Sequence, residues 1–255
     1  MAVRSVFLDI DGTLIAGDYS GPFDDDIAGI EKAWQKGTKF FLCTGRSFIQ
    51  IPPALADAPW KEGVIAGGGA HVVHAEKTLY HKWIPISVLC EVAAVFLATG
   101  KKCGFRGDNN VYALNYSSDV INTGRLPVTS SDDFTQKYAD AKVSMLTVDH
   151  SIGNKERALL EQYFDFYWQI PHLDCFIKGE CKAKGMAVIL DTLGLDRKYS
   201  IAIGDSSNDM DIIQYAGTGI AVGNACEALK EKASWVSAAV GEGAVVKALE
   251  HLGLC

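Results

Sequence analysis

The residues best suited to chemistry are two aspartates that follow an apolar run near the start of the chain. Asp9 and Asp11 stand one residue apart, and Gly12 and Thr13 then favour a turn. Residues two apart in a strand point to the same side, so both carboxylates should face the same way. Carboxylates this close repel each other, and a hard cation such as Mg²⁺, bound through oxygen, would relieve that repulsion. For this stretch alone, a solvated Asp-Gly turn is the alternative.

A second apolar run, late in the chain, also ends in acidic residues. Asp205, Asn208 and Asp209 follow it directly. In a parallel sheet the carboxyl ends of the strands meet at one edge, where α/β proteins hold their ligands. We therefore expect Asp9, Asp205 and the backbone carbonyl of Asp11 to bind Mg²⁺, while Asn208 and Asp209 orient these ligands.

The elements that must position these acids alternate between apolar strands and amphipathic helices at both ends of the chain. This alternation predicts an α/β fold, with a Rossmann-like parallel sheet and helices on both faces. Residues 83–178 have a different texture, with short strand-like pieces, helices and no comparable acidic strand end. We expect them to form an inserted α+β domain, and residues 1–82 and 179–255 to form the core that it interrupts.

Two further segments carry residues that could contact a ligand. Thr44 and Gly45 end a predicted strand and precede a predicted helix, which Pro52 and Pro53 interrupt or close. A hydroxyl and free backbone N–H groups there could hold a phosphate oxygen, and simple capping of the helix by Thr44 is the alternative. The three glycines of 67–69 permit a left-handed backbone, at a ligand or merely at a tight turn.

Composition limits the classes of function. The chain has 255 residues, 48% of them hydrophobic and 22% charged, and a formal net charge of -7. These values are typical of a globular protein, and without a Lys/Arg cluster a nucleic-acid partner is not expected. We find no apolar run of about 20 residues and no signal-peptide layout, so we expect a soluble cytoplasmic protein without a membrane partner. A monomer or weak homodimer is expected.

Cysteine and histidine offer weaker candidates for metal binding. The seven cysteines are odd in number and scattered, which favours reduced thiols over a disulfide or zinc framework. His71, His74 and His81 flank a predicted hairpin around residues 76–77. Their spacing fits alternating faces of that hairpin better than a zinc site.

Four segments together resemble the motifs of the haloacid dehalogenase superfamily. In chain order they are Asp9-Ile-Asp-Gly-Thr13, Thr44-Gly45-Arg46, Lys184-Gly185 and Gly204-Asp-Ser-Ser-Asn-Asp209-Met. The chain is similar over its whole length to the Cof-type sugar-phosphatase branch, in which a large α+β cap is inserted between the second and third motifs.

The resemblance implies a role for each matching residue. Asp9 would attack phosphorus and form an aspartyl-phosphate, while Asp11 would protonate the leaving alkoxide and later deprotonate the attacking water. Thr44 and Gly45 would hold a phosphoryl oxygen, and Arg46 would lie near the phosphate. Mg²⁺ would offset the repulsion between an anionic nucleophile and an anionic substrate.

The chain differs from the family pattern at one position and is ambiguous at another. Gly68 stands where the branch commonly has asparagine, so an amide contact is missing there. Two lysines, Lys182 and Lys184, could neutralise charge on Asp9 and the phosphate. We favour Lys184, because the family's lysine usually stands directly before glycine and starts a helix, and Lys182 is the alternative.

The resemblance favours a Mg²⁺-dependent phosphatase that acts on a small phosphorylated metabolite, with a sugar phosphate as the expected substrate. Within the inserted domain, Arg106, Asp108 and Asn109 are candidates for sugar contacts, and an exposed turn is the alternative for them. A sugar phosphomutase of the same superfamily and a non-catalytic phosphate-binding protein are the competing functions.

Overall fold

The computed structural model describes residues 3–121, 123–169 and 172–255, with the backbone alone at residues 168 and 169. The chain forms two compact units. The first comprises Met1–Gly45, Ile51–His81 and Cys181–Cys255, and the second comprises Arg46–Gln50 and Lys82–Glu180. Residues 1, 2, 122, 170 and 171 of the predicted domain ranges lie outside the described residues. The interpretation of 83–178 as a cap domain stays a prediction.

The first unit is built on an eight-stranded sheet in the order β14-β13-β12-β1-β2-β3-β4-β5. Its strands are β1 (Ser5–Leu8), β2 (Lys39–Cys43), β3 (Lys61–Ala66), β4 (His71–His74), β5 (Lys77–His81), β12 (Ser200–Gly204), β13 (Thr218–Ala221) and β14 (Trp235–Val236). Its helices are α1 (Asp24–Gln35), α2 (Pro53–Ala56), α7 (Lys182–Leu193), α8 (Met210–Tyr215), α9 (Glu227–Lys230) and α10 (Ala244–His251). The strands from β14 to β3 pair in parallel, and β4 and β5 pair antiparallel.

The central strands are apolar because both of their faces are covered. Every residue of β1 and β12 is buried, and the rings of Phe7 and Phe41 stack across β1 and β2 with their centroids 4.9 Å apart. Continuous apolar runs of this kind are typical of strands inside a parallel sheet. The predicted α/β class with a parallel central sheet is confirmed.

The second unit contains a six-stranded sheet in the order β10-β11-β9-β6-β7-β8. Its strands are β6 (Cys103–Gly107), β7 (Val111–Leu114), β8 (Leu126–Val128), β9 (Val143–Asp149), β10 (Phe164–Gln169) and β11 (His172–Ile177). Its helices are α3 (Ile86–Thr99), α4 (Ser118–Ile121), α5 (Asp133–Gln136) and α6 (Asn154–Tyr163). All the strand pairs are antiparallel except β7 with β8.

The segment after β2 differs from its prediction. Thr44 and Gly45 do not open an α-helix, and the chain makes a single 3₁₀ turn at Phe48–Gln50 before α2 begins. The consecutive prolines Pro52 and Pro53 explain this, since proline restricts the residue before it and can only start a helix. A phosphate site at the N-terminus of a long helix is therefore not formed here.

The histidines of the β4–β5 hairpin also differ from their prediction. His71 and His81 do not alternate; they are cross-strand partners whose rings stack with centroids 4.0 Å apart. A register shift at Val72/Val73 is the cause, because it moves His81 into the position opposite His71.

In the part of the chain that the structure describes, no helix has the length and apolar character needed to span a membrane.

Candidate active site

The two acidic segments meet because their strands are neighbours in the sheet. β1 and β12 pair in parallel with Leu8 opposite Ile203, and the backbone N–H of Asp9 donates to the carbonyl of Ile203 at 3.0 Å. The side chains that follow the two strands therefore converge at one edge. One carboxylate oxygen from each of Asp9, Asp205 and Asp209 lies within 4.8 Å of the other two.

A buried lysine lies among these carboxylates. Lys182 is 1% exposed, and its Nζ donates to Asp9 Oδ1 at 2.6 Å and to Asp209 Oδ1 at 2.6 Å. The preference for Lys184 as the lysine that pairs with Asp9 was wrong. The Nζ of Lys184 donates instead to the hydroxyl of Tyr80 at 3.1 Å.

Helix geometry explains why only one of the two lysines reaches the acids. Residues two apart in an α-helix point about 200° away from each other, so Lys182 and Lys184 cannot share a target. The start of α7 is fixed against Gly69, where an added Cβ would overlap the carbonyl oxygen of Cys181. Gly69 also has a φ of +108°, so glycine is required at this position on two grounds. This close approach sets which face of α7 carries the pairing lysine.

The cluster holds more negative charge than its lysine can balance. If all three carboxylates were ionised, the single ammonium would leave two negative charges uncompensated. Burial, followed by the charge of Asp209, raises the pKa of Asp9 well above its ordinary value, and Lys182 only partly opposes this. Burial and Asp209 likewise raise the pKa of Asp205, to about 7. Burial alone would lower the pKa of Lys182, but Asp209 and Asp9 hold it well above its ordinary value.

The oxygens of the three carboxylates differ in what they already contact. Asp209 uses Oδ1 for Lys182 and Oδ2 for the backbone N–H groups of Asp205 and Ser206, both at 3.1 Å. Asp205 Oδ1 is buried and has no hydrogen-bond partner among the described residues. A buried carboxylate oxygen without a donor, beside excess negative charge, fits a divalent cation. Asp9 and Asp205 are the acids placed to bind it, and Asp209 holds the loop and the lysine.

Asp11 occupies a different environment from Asp9. Its side chain is exposed, whereas that of Asp9 is buried. The turn after it is held by a hydrogen bond from the Gly12 N–H to the carbonyl of Ile15 at 2.7 Å. Gly12 has a φ of +85°, and an added Cβ would overlap Asp205 Oδ2. The turn can therefore approach Asp205 only because residue 12 is glycine.

Asn224 is a residue of this site that the sequence interpretation missed. Its Nδ2 donates to the carbonyl of Gly12 at 2.8 Å, and its Oδ1 accepts from the N–H of Val240 at 2.8 Å. Two residues further on, the N–H of Cys226 donates to the carbonyl of Asp205 at 2.9 Å. The loop after β13 thus contacts both acidic loops. A polar residue just past the end of a third adjacent strand was the signal that could have found it.

Comparisons with known proteins agree with this geometry. A family model described as haloacid dehalogenase-like hydrolase matches residues 6–249. The chain belongs to this family. Among its relatives is the putative phosphatase YkrA of Bacillus subtilis, which is 24% identical and aligns over 100% of this chain and 99% of its own length.

Two further matches support the same class of enzyme. A putative bifunctional phosphatase/peptidyl-prolyl cis-trans isomerase of Streptococcus pyogenes is 28% identical over 99% of this chain, which spans 54% of that relative's length. The solved structure of the subclass IIB sugar phosphatase BT4131 superposes with a TM-score of 0.84 at 26% identity, covering 99% of this chain and 100% of that one. The predicted superfamily, its Cof-type branch and the enzyme class, a phosphoric monoester hydrolase, are confirmed.

The remaining predicted site residues of this haloacid dehalogenase-like hydrolase are placed as follows. Thr44 is buried at the carboxyl end of β2, beside β1, and Gly45 follows it. Arg46 belongs to the second unit, where its Nη1 donates to the carbonyl of Gln50 at 2.9 Å. Asn208 accepts a hydrogen bond from the hydroxyl of Ser206 at 3.0 Å. The roles in phosphate binding expected for these residues stay predictions.

Gly68, the position that departs from the family pattern, has a left-handed backbone with φ +63° and ψ +26°. Its N–H donates to the carbonyl of Thr44 at 3.1 Å. Asparagine is one of the residues that adopt this conformation readily, so the backbone suits both glycine and asparagine. The substitution therefore removes an amide side chain without requiring a different turn.

Proposed function

We propose that this chain is a Mg²⁺-dependent phosphatase that hydrolyses a small phosphate monoester, with a sugar phosphate as the substrate, through an aspartyl-phosphate on Asp9. The observation that carries the proposal is the pairing of Lys182 with Asp9, at 2.6 Å, at the edge where Asp205 and Asp209 converge. A buried carboxylate suits nucleophilic attack on an anionic ester when it lies beside a lysine ammonium and beside carboxylates that could bind a metal ion.

The first half of the reaction uses the two aspartates of the β1 loop. An oxygen of Asp9 attacks phosphorus, the bond between phosphorus and the ester oxygen breaks, and the leaving alkoxide takes a proton from Asp11. Lys182 balances charge on Asp9, and Thr44 and Gly45 hold a phosphoryl oxygen. The exposed position of Asp11 supports its role, because an acid that exchanges protons with alcohol and water must be reached by both.

The second half restores the enzyme. Asp11, now a carboxylate, takes a proton from water, the resulting hydroxide attacks phosphorus, and the bond to Asp9 breaks to release inorganic phosphate. Asp9, Asp205 and the carbonyl of Asp11 would hold Mg²⁺, and Asn208 and Asp209 would orient this group. When bound, the ion supplies positive charge that lowers the pKa values of the acids and attracts the phosphate.

The proposal extends to the organisation of the chain. Residues 1–82 and 179–255 form the catalytic core and residues 83–178 form a cap that selects the substrate. A cytoplasmic location and a monomeric or weakly dimeric state belong to the same proposal, with no nucleic-acid or membrane partner.

The proposal is tested by a panel of phosphate esters with and without Mg²⁺. The panel should contain sugar phosphates, pyridoxal phosphate and p-nitrophenyl phosphate, with release of inorganic phosphate as the readout. We expect turnover by the wild-type chain with Mg²⁺, little with a chelator, and none by Asp9→Asn. Asp18→Asn is the matched control, because Asp18 is an exposed aspartate whose carboxylate accepts hydrogen bonds from Ser20.

Two outcomes would overturn the proposal. One is retained hydrolysis in a folded Asp9→Asn variant, which would remove the nucleophile from the account. The other is conversion of a sugar monophosphate to an isomer without net release of phosphate, which would indicate a phosphomutase.

A further inference from the structure

The sheet of the second unit has one apolar face and one face that carries polar groups. Helices α3, α5 and α6 share a buried core with side chains such as Cys103, Phe105 and Leu146 on the first face. Successive side chains of a strand point to opposite faces, so Gly104, Arg106 and their cross-strand neighbours belong to the second. On that face Gly104 lies opposite Thr147.

A chain of hydrogen bonds fixes Arg106 on this second face. Its Nε donates to the hydroxyl of Thr147 at 3.1 Å, and that hydroxyl donates to Asp174 Oδ1 at 3.2 Å. Built on Gly104, a Cβ would lie 3.5 Å from Arg106 Cζ and 3.5 Å from the hydroxyl of Tyr116. The guanidinium and the phenol therefore converge over the same point of the sheet.

The cationic charge here exceeds what the neighbouring side chains balance. Arg106 is half-buried, and among the described residues its only hydrogen bond is the one to Thr147 and no carboxylate lies within 4.0 Å of it. An arginine has five N–H donors, so both Nη groups keep theirs for another partner. Burial lowers the pKa of Arg106 and nearby Arg125 lowers it further, while Tyr116 and Asp174 oppose this only in part.

Arg125 has no carboxylate partner either. Within the described part of the chain its Nη1 donates only to neutral oxygens, the carbonyl of Val120 at 3.3 Å and the hydroxyl of Thr123. Two half-buried guanidinium groups near each other repel unless an anion lies between them or beside them.

We infer that Arg106, with Arg125 and Tyr116, forms a binding site for the carboxylate or phosphate group of a small hydroxylated ligand. The two Nη groups of a guanidinium match the two oxygens of such an anion, and the contact gains strength where water is partly excluded. Tyr116 can donate a further hydrogen bond, and Asp174 can accept one from a ligand hydroxyl. The sequence drew attention to Arg106, Asp108 and Asn109 together. Only Arg106 lies in a strand, and the other two lie in the turn after it.

A direct binding measurement tests this inference without reference to hydrolysis. The side-chain Nε–H signals of the arginines can be followed by ¹⁵N NMR while gluconate is added, with glucose as the neutral control. We expect a saturable shift of the Arg106 signal with gluconate and none with glucose, and loss of that response in Thr147→Val, which removes the acceptor that fixes Nε. Equal small shifts of all arginine signals, or no shift of Arg106, would overturn the inference.

A kinetic measurement, which rests on the proposed function, tells a substrate group from a separate ligand. It compares kcat/KM for 6-phosphogluconate and glucitol 6-phosphate, two open-chain esters that differ only in a carboxylate or a hydroxymethyl group at C1. If the anion belongs to the substrate, Arg106→Ala should lower the preference for the acid by about tenfold or more, since a charge-assisted pair is lost. Arg106→Lys keeps the positive charge but lacks the two parallel N–H donors of a guanidinium. This variant should therefore lose part of the preference for the acid. The control is Arg157→Ala, because Arg157 lies over the ring of Phe166 in the same unit.

The two measurements separate the possible failures. If the wild-type chain hydrolyses neither ester, the proposed function fails for these substrates and the NMR result still decides the inference. An NMR response with an unchanged substrate ratio assigns the site to an anion other than the substrate. An unchanged ratio with no NMR response overturns the site.

Discussion

The ammonium of Lys182 and the carboxylate of Asp9 lie 2.6 Å apart although 173 positions separate them in the chain. Both side chains are almost fully buried, so water cannot take the place of either partner. Removing Lys182 would leave the carboxylates of Asp9 and Asp209 without a positive partner, whereas without Asp9 the lysine would keep its pair with Asp209. This pair therefore links the last part of the chain to the first strand, and it gives Asp9 a fixed position.

The two lysines of α7 should respond very differently to substitution. We expect Lys182→Met to lower kcat/KM for p-nitrophenyl phosphate by about 10²–10³-fold, because it removes the positive charge beside the attacking carboxylate. Lys184→Met, which loses the contact with Tyr80 and leaves the pair between Lys182 and Asp9 in place, should keep most of the activity. Circular dichroism of both variants checks that they fold. Equal losses of kcat/KM in the two variants would mean that activity does not depend on the pair between Lys182 and Asp9.

The glycine between the acidic strand end and its turn should not tolerate a side chain. Gly12→Ala places a methyl group on Asp205 Oδ2 and forces a φ of +85° on alanine, at a cost of about 1–3 kcal/mol for the strain alone. We expect loss of Mg²⁺ binding and of turnover. The control Gly17→Ala should behave like the wild type, since its Cβ would meet nothing within 4 Å. Calorimetric titration with Mg²⁺ makes the comparison, and tight binding by Gly12→Ala would contradict this description of the turn.

Metal binding should depend on pH through Asp205, whose pKa is raised to about 7 by burial and Asp209. Below that pKa the acid holds a proton that Mg²⁺ must displace, so we expect binding about tenfold weaker near pH 6 than near pH 8. Calorimetry at the two pH values measures this directly. Affinity that is equal at both would exclude Asp205 as a ligand that titrates in this range.

The free energy of unfolding of the metal-free chain should fall as pH rises, whereas the affinity for Mg²⁺ should increase. A folded-state pKa above the unfolded value means that the folded state binds the proton more tightly, so stability falls as pH rises from about 4 to about 7. Melting temperatures in a chelator, compared across this range with and without added Mg²⁺, test the sign. The metal should restore stability most at the higher pH.

Asn224 should act as a positioning residue for the β1 loop. We expect Asn224→Ala to lower kcat by about tenfold while KM changes less, because the amide holds the carbonyl of Gly12 without contacting substrate. Asn224→Asp keeps the acceptor for Val240 but cannot donate to Gly12. It should therefore be impaired as well. Full activity in Asn224→Asp would show that only the contact with Val240 is needed.

The sequence was sufficient to predict that Asp9, Asp205 and Asp209 converge. Apolar runs ending in acids specify buried parallel strands, and parallel strands place their carboxyl ends at one edge. The prediction needed no knowledge of side-chain direction beyond the period of two in a strand. A local sequence pattern is enough to identify a buried parallel strand and its carboxyl end, and this is why the convergence of these acids could be predicted.

Details that depend on how two segments pack could not be predicted in this way. The choice of Lys182 depends on Gly69 accommodating the carbonyl of Cys181, a contact between segments more than 100 residues apart. The stacking of His71 on His81 depends on a bulge in β5, where Leu79 is the extra residue. Neither leaves a periodic signal in the sequence.

The most direct measurement is to trap phosphate on the enzyme. The variant Asp11→Asn should still be phosphorylated by p-nitrophenyl phosphate, whose leaving group needs no acid, but should be slow to activate water. After quenching with acid and digestion, mass spectrometry should find one phosphoryl group on the peptide that contains Asp9, and none in Asp9→Asn. A burst of p-nitrophenol with the phosphoryl group on another residue, or on no residue, would contradict the account.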